Sequence, residues 1–409
     1  MMLVSPTSAI VRGLALAIGL TLSACGGGSS TADGARADSS AVGTDPSLVT
    51  PAFVFLTAGR QFTCGLDAQG SAWCWGANRY GQLGVGDTLD RYEPTPVRND
   101  VPFVHMDAGE THICAVDAAR NLFCWGDNRD FALGDSTIRL RTRPDKVPGV
   151  AGVELLGLGT NVTCITDDED RPMCWGTDTH GERGDDQLGS RPSARPVPVR
   201  GDHRFRSLAV GRQHACGLES DGSAWCWGDG GALGDGTFSH RGQPVAVSGN
   251  RRFQELAAGE SVTCGLKVDN TAWCWGVAFD GQLGQGDPPR PNSFQPAPVA
   301  GGLSFQQIAP GRHRVCALDL EGAAWCWGSN YNGGLGDGSG QSRAEPVRVV
   351  GDLRFTQLAS GDFHTCGLQA SGDVWCWGEN SDAKGGGALG DGTLRSRPTP
   401  TRIVTRGRP

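Results

Sequence analysis

The sequence predicts an all-β fold: a single seven-bladed β-propeller, each blade a small antiparallel sheet, with the ring closed by the C-terminal strand. Three observations carry this expectation. Fourteen of the 15 cysteines fall in seven pairs, each pair ten residues apart, and successive pairs step by 48 to 52 residues. Every second cysteine is followed by Trp-Gly. Around each pair the side chains alternate so that both faces of the unit are apolar, which suits a blade sandwiched between two neighbours. A fixed period of this size marks one supersecondary unit copied along the chain, and it overrides the two or three domains that 409 residues alone suggest.

The units read in order. The pairs are Cys64 with Cys74, Cys114 with Cys124, Cys164 with Cys174, Cys216 with Cys226, Cys264 with Cys274, Cys316 with Cys326 and Cys366 with Cys376. The tryptophans are Trp75, Trp125, Trp175, Trp227, Trp275, Trp327 and Trp377, and Leu-Gly follows at Leu83, Leu133, Leu188, Leu233, Leu283, Leu335 and Leu389. Phe62 to Leu66 and Ala72 to Trp75 are short and β-prone around a turn containing Gly70. A three-residue loop with glycine in the left-handed region sets Cys64 opposite Cys74. The tryptophans, fixed beside a core cysteine, are expected to pack between blades. The first unit begins at Phe53 and the last ends in Thr401 to Val404, so this last strand is expected to pair into the blade beginning at Phe53. A ring of short strands also leaves few exposed edges.

The chain ahead of the repeats is of a different kind. Arg12 is the only charge before residue 33, and Gly13 to Ala24 is an apolar run of 12 residues. That is too short for an ordinary membrane-spanning helix, which needs about 20 residues, and fits the apolar core of an export signal. Leu22-Ser23-Ala24-Cys25 resembles a bacterial lipoprotein lipobox. The resemblance implies a signal peptide over 1–24 and a lipidated Cys25 as the first mature residue, which also accounts for the odd cysteine. Residues 25–50 are expected to form a flexible tether spanning roughly 25–30 Å, and 51–409 the propeller. Gly26 after the lipobox implies, by similarity to Gram-negative sorting, an outer-membrane destination.

Gly211-Arg212-Gln213-His214-Ala215-Cys216-Gly217-Leu218, followed by Gly222 and Trp225-Cys226-Trp227-Gly228, resembles the regulator of chromosome condensation repeat. So does Trp75 to Gly84. The resemblance spans about 52–404 and implies a seven-bladed propeller. The founding member exchanges nucleotide on a small nuclear GTPase and docks on chromatin. That activity is not carried over, because this chain has an export-type start, no basic tail and no identifiable exchange surface. Repeat three departs from the pattern at Gly181 to Gln187. Exported bacterial relatives act as protein-binding or enzyme-inhibiting propellers, which implies binding as the class of function.

Composition narrows the alternatives. Thirty-six basic against 44 acidic residues leave a net charge of −8, which excludes a nucleic-acid or anionic-membrane binder driven by positive charge. Glycine makes up 63 residues with no Gly-X-Y period, which excludes collagen. An exported chain meets an oxidising compartment, so the cysteine pairs are expected to be cross-strand disulfides, each stabilising by roughly 2–3 kcal/mol in the chain-entropy model. Zinc needs four ligands at one centre, and each unit offers two cysteines and no regular histidine. Redox catalysis wants Cys-x-x-Cys or one exposed thiolate.

Three sets of polar positions stand out. His112, His214 and His364 precede a first cysteine by two, where other units hold Phe62, Val162, Val262 and Arg314; a buried histidine bonded to backbone is expected. The residue after the repeat glycine runs Arg60, Glu110, Thr160, Arg212, Glu260, Arg312 and Asp362, with alternating signs, as though neighbours pair near the channel. Arg91, Arg141, Arg191, Arg241, Arg290, Arg343 and Arg395 lie 14–18 residues beyond the tryptophans. They either hold carboxylates or phosphates by forked hydrogen bonds or bond loop carbonyls of the next blade. With Tyr80, Tyr92, Phe131, Phe238, Phe279 and Tyr331 in the same loops they form the candidate partner-binding surface. Phe294 lies there too. The Leu-Gly-Asp-Gly stretches lack the alternating ligands of a calcium loop and read as tight turns.

The sequence thus points to a monomeric, envelope-anchored scaffold that binds an unknown protein or other macromolecular ligand through its loops, with the membrane contacted through Cys25, no nucleic acid and no cofactor or metal. The alternative is an extracytoplasmic polysaccharide hydrolase or lyase with a site assembled from several blades. No catalytic motif such as Gly-x-Ser-x-Gly or His-Glu-x-x-His occurs.

Overall fold

In the computed structural model, residues 51–286, 292–382 and 385–404 are described; the signal, tether and Cys25 expectations lie outside them, as does Arg290. The first blade consists of β1 (Phe53–Ala58), β2 (Phe62–Asp67), β3 (Ala72–Gly76) and β4 (Arg91–Pro96), paired antiparallel in sequence order. The hairpin between β2 and β3 sets the register. Gly70, at φ 78°, donates its N–H to the Asp67 carbonyl at 2.9 Å, and Asp67 Oδ1 accepts the N–H groups of Gln69 and Ser71. Cys64 then falls directly opposite Cys74. Six further four-stranded sheets repeat this order over 103–146, 155–198, 205–246, 253–298, 305–348 and 357–402. No α-helix occurs among the described residues, and none is long and apolar enough to cross a membrane.

The same register recurs in every blade. Cys114 stands directly opposite Cys124, Cys164 opposite Cys174 and Cys216 opposite Cys226. Cys264 likewise faces Cys274, Cys316 faces Cys326 and Cys366 faces Cys376. All seven pairs, Cys64 with Cys74 included, sit at disulfide distance, with S–S separations of 2.07–2.14 Å. Each pair is buried on one face of its blade and meets the tryptophan face of the next. The cluster between the first two blades joins Cys64, Cys74, Leu83 and Val97 to Phe103, Met106 and Trp125. Six equivalent clusters fill the remaining seams. A fully buried indole removes 150–250 Å² from water, an upper bound of about 4–6 kcal/mol at each seam. Its N–H is satisfied across six of the seven seams, as where Trp125 donates to the Gln82 carbonyl at 2.9 Å, Trp175 to Ala132 and Trp275 to Ala232, while that of Trp377 finds no partner among the described residues. The glycine of six of the Leu-Gly pairs, and Gly184 in the third repeat, makes room for that ring. A Cβ on Gly84, at φ 68°, would come within 2.8 Å of the Trp125 indole nitrogen.

Two expectations need correction. The C-terminal strand Arg397–Arg402 does not join the blade beginning at Phe53; it pairs with Val374–Gly378 as the outer strand of its own blade. The register Trp375 to Arg402 repeats that of Trp73 to Pro96, and β4 already occupies the outer edge of the first blade. The ring closes by packing instead. Ile403 joins the cluster of Phe53, Leu56 and Trp75, and the Gln357 amide bonds both the N–H and the carbonyl of Leu56 at 2.9 Å. In the third repeat, Leu188 is not the buried leucine of the pattern. It is 54% exposed, and Arg183-Gly184 fills the place, with the Arg183 guanidinium bonded to Asp178, Asp185 and Ser190. The extra residues after Gly184 displace the Leu-Gly dipeptide outward.

Deleting residues 399–409 removes four of the six residues of the outer strand together with Ile403. It is expected to destabilise the propeller by about 3 kcal/mol or more, read as a lowered thermal midpoint. An unchanged melting curve would contradict the closure described.

Candidate functional site

At the end of each inner strand the chain turns through a glycine and one further residue. The glycines, Gly59, Gly109, Gly159, Gly211, Gly259, Gly311 and Gly361, form an annulus around one mouth of the channel. A Cβ on any of them would lie 2.3–2.6 Å from the carbonyl oxygen of the glycine in the next blade. Glycine is required here by close approach, with no left-handed φ among the seven. Backbone bonds run across the same seams, from Glu110 N–H to Gly159 O at 3.3 Å and from Arg212 N–H to Gly259 O at 3.2 Å.

This annulus carries the alternating charges inward as a ring. Arg60 Nη1 meets Glu110 Oε1 at 2.5 Å, Arg212 pairs with Glu260, and Arg312 reaches Glu260 Oε2 at 2.5 Å and Asp362 Oδ2 at 3.9 Å. The pairing anticipated from the signs is present, and Thr160 interrupts it. Burial pushes the Asp362 carboxyl up to about 7, reinforced by Glu110 and Glu260 and opposed by Arg312 and Arg60. Deeper in the channel, Asp107 accepts the N–H groups of Ala108 and Leu158 at 2.9 Å, and burial still raises it to about 6.

The long loops between third and fourth strands emerge on this same face, because antiparallel order returns β3 and β4 to the side of the β1–β2 turn. Their arginines are tied within their own blades. Arg91 pairs with Asp87 at 2.6 Å, Arg141 with Asp135 at 2.7 Å, Arg241 with Asp235 at 2.8 Å and Arg343 with Asp337 at 4.0 Å. The other carboxylate oxygen of each aspartate accepts a backbone N–H two residues on, at 2.8–3.0 Å, which makes the Leu-Gly-Asp stretches tight turns. The arginine ring is therefore neither a row of free guanidiniums nor a set of bonds to the next blade. Register also corrects its membership. Arg397, paired with Asp391, stands where Arg395 was expected, and Ser193 stands where Arg191 was expected. The Arg191 and Arg395 guanidiniums have no carboxylate partner among the described residues.

Of the predicted aromatic residues, Phe279, Tyr331, Phe238 and Tyr92 are exposed at 73, 70, 59 and 42%. Tyr80 and Phe131 are half-buried. Phe238 leans on Phe294 across the fourth and fifth blades, with ring centroids 5.2 Å apart. Tyr80 lies beneath the Arg129 guanidinium at 4.9 Å and beside that of Arg79 at 5.9 Å. These residues border a cleft of about 280 Å³ between the first three blades, which also holds Gln61, Thr111, Thr160 and Asn161. Sequence reasoning reached Tyr80, and Thr160 with Arg60 and Glu110 as members of the charge series, and missed Gln61, Thr111 and Asn161. The place of Gln61 is filled by Thr111, Asn161, Gln213, Ser261, His313 and Phe363 in the other repeats, so no periodic signal marks it.

Two family models described as the regulator of chromosome condensation (RCC1) repeat match the chain, one at residues 69–116 and 321–368, the other at 53–82, 205–232 and 355–383. The chain thus carries RCC1 repeats on a seven-bladed propeller. Among solved structures it is similar to yeast RCC1 (Prp20) bound to Kap60, at 21% identity and TM-score 0.72 over 90% of each chain. It is also similar to human WBSCR16, at 20% identity and TM-score 0.72 over 82% of this chain and 94% of that one. At such identities the likeness is one of fold. No curated protein sequence matches the chain.

The seams of this RCC1-repeat propeller show a matched pattern across the repeats. Where one blade offers histidine, the next offers threonine: His112 with Thr163 at 3.0 Å, His214 with Thr263 at 2.8 Å and His364 with Thr63 at 2.8 Å. Arg314 meets Thr365 at 3.3 Å in the same way. Where the first residue is apolar so is the second: Phe62 with Ile113, Val162 with Ala215, Val262 with Val315. The histidines therefore bond a hydroxyl of the next blade rather than backbone. Each threonine donates its single hydroxyl hydrogen to a loop carbonyl, of Ala132, Ala232 or Ala388. It must then accept from histidine Nε2–H, which leaves Nδ1 bare. Burial pushes His112 and His214 down to about 4 and His364 to about 3, the last also by Arg314.

A buried neutral histidine contributes stability fully above its unfolded pKa of about 6.5, and loses it as acid protonates the unfolded chain first. The stability advantage of wild type over His214→Gln is expected to shrink by up to about 3 kcal/mol between about pH 7 and 4, measured by denaturant unfolding. An advantage that does not change with pH would contradict this.

Proposed function

We propose that this chain is an envelope-anchored binding propeller that recognises a protein partner through its long-loop face. One observation carries the reading. Of fifteen exposed large apolar side chains among the described residues, eight (Leu89, Ile138, Leu140, Leu188, Phe238, Phe279, Tyr331 and Leu394) lie in these loops. Three (Val268, Leu320 and Val350) lie on the hairpins and linkers of the opposite face. Apolar and aromatic groups gathered on one side of a rigid scaffold, interspersed with Arg191, Arg395 and the loop arginines, have the composition of protein-binding surfaces. The fold neighbour Prp20 was solved bound to Kap60, and its binding properties to Gsp1p and histones were reported. Protein recognition is thus within the capacity of this architecture. Cysteines paired at disulfide distance suit an extracytoplasmic compartment. Acylation of Cys25 and the 25–50 tether would hold the propeller near a bacterial membrane, with the outer membrane favoured by Gly26.

The test is photo-crosslinking in the native cell, with the photoreactive side chain installed at position 279 or 331 of the full chain and, as control, at 268. Discrete protein adducts from the loop positions, absent from 268, are expected, together with loss of membrane retention in Cys25→Ser. Equal adduct patterns from both faces, or no protein adduct at 279 and 331, would overturn the binding reading.

A further inference from the structure

The break in the charge ring opens onto a site that the protein-binding reading does not use. Thr160 stands between Glu110 and Arg212, so Glu110 is matched by Arg60 on one side and faces a hydroxyl on the other, while Arg212 turns to Glu260. Beside this gap lies the cleft of about 280 Å³. Gln61 lines it and is only 5% exposed, yet its Oε1 meets no partner and its amide makes no hydrogen bond among the described residues. A buried amide oxygen left unpaired is unfavourable, and a ligand's hydrogen bonds would recover that loss. At the rim stands Arg79. Its guanidinium touches the Tyr80 ring and has no carboxylate partner among the described residues, in a protein of net charge −8. The hydroxyls of Thr111 and Thr160 complete the wall with Asn161, whose Nδ2 is committed to Asp130 at 2.7 Å and whose carbonyl oxygen stays open.

We propose that this cleft binds a hexuronic-acid residue of an acidic polysaccharide, its carboxylate on Arg79 and its ring hydroxyls on Gln61, Thr160 and Asn161. The polar groups decide the class. One acidic side chain of a protein would use the guanidinium and leave two hydroxyls and two amides idle. A neutral sugar would leave Arg79 idle. A phosphate is best held by several convergent free cations, whereas Arg60 and Arg129 are already paired with Glu110 and Asp127. A hexuronate offers one carboxylate and several hydroxyl groups, each able both to donate and to accept. Tyr80 acts here as a positioning residue for Arg79.

The proposal is independent of the protein-binding reading, and its test needs no protein partner. Calorimetric titration of the purified full chain with trigalacturonate and with a hyaluronan tetrasaccharide is expected to give saturable binding of at least one. That binding should weaken about tenfold or more in Arg79→Ala and stay unchanged in Arg354→Ala on the opposite face. Maltotriose, which lacks a carboxylate, is expected not to bind. Gln61→Leu is expected to weaken binding as well; should it fail to fold, the exposed Arg79 carries the test. Failure of both uronate probes, equal affinity in Arg79→Ala, equal binding of maltotriose, or Arg79-dependent binding of a triglutamate peptide in place of the sugars would each overturn the proposal.

Discussion

The structure depends on how closely neighbouring blades approach at the axis. Seven glycines place the backbone of each blade against the carbonyl of the next, at separations where a single methyl group does not fit. Further out, a second set of glycines admits the tryptophan of the following blade, and in six of the seven seams the indole N–H finds a carbonyl of the preceding loop. Inner and outer contacts together fix the angle between blades. Seven equivalent wedges then meet without a shared strand. The cysteine pairs flatten one face of each wedge, and the tryptophan and phenylalanine fill the other.

A ring held this way leaves its loops free to differ. The seams are matched, apolar where the neighbour is apolar and hydrogen-bonded where it is a threonine. The loops on one face carry arginine–aspartate turns that hold their shape, and exposed aromatic side chains between them. At the axis the alternating charges neutralise one another and cover the channel mouth. Thr160 is the place where this cover is incomplete, and Gln61 and Arg79 lie beside it. Variation that would damage a seam is absorbed at the loop face, where binding is proposed.

Much of the fold was legible because each blade repeats the same contacts at the same period. Cys64 and Cys74 face each other for a reason visible in the turn at Gly70, and the charge ring followed from one position read across seven repeats. The mode of closure was not legible. In a ring of equivalent strands, local patterns do not distinguish an outer strand shared between ends from one kept in its own blade. Leu188 and Arg395 were misplaced because residue type was matched in loops of unequal length, where only strand register aligns Arg183 and Arg397. The histidine–threonine matching lay in the sequence as a correlation between adjacent repeats, visible only when each position is compared with the next blade rather than with its own. The cleft was invisible for the opposite reason, since the places of Gln61 and Arg79 vary from repeat to repeat.

The most direct test of the account is the thermal midpoint of Gly211→Ala. Its Cβ would lie 2.4 Å from the Gly259 carbonyl and 2.4 Å from the His214 ring. A midpoint lowered by the equivalent of about 2–3 kcal/mol or more, with secondary structure retained at low temperature, is the result that close axial approach predicts. A variant that melts like wild type would show that the blades do not meet there, and the account of how this ring is held together would be wrong.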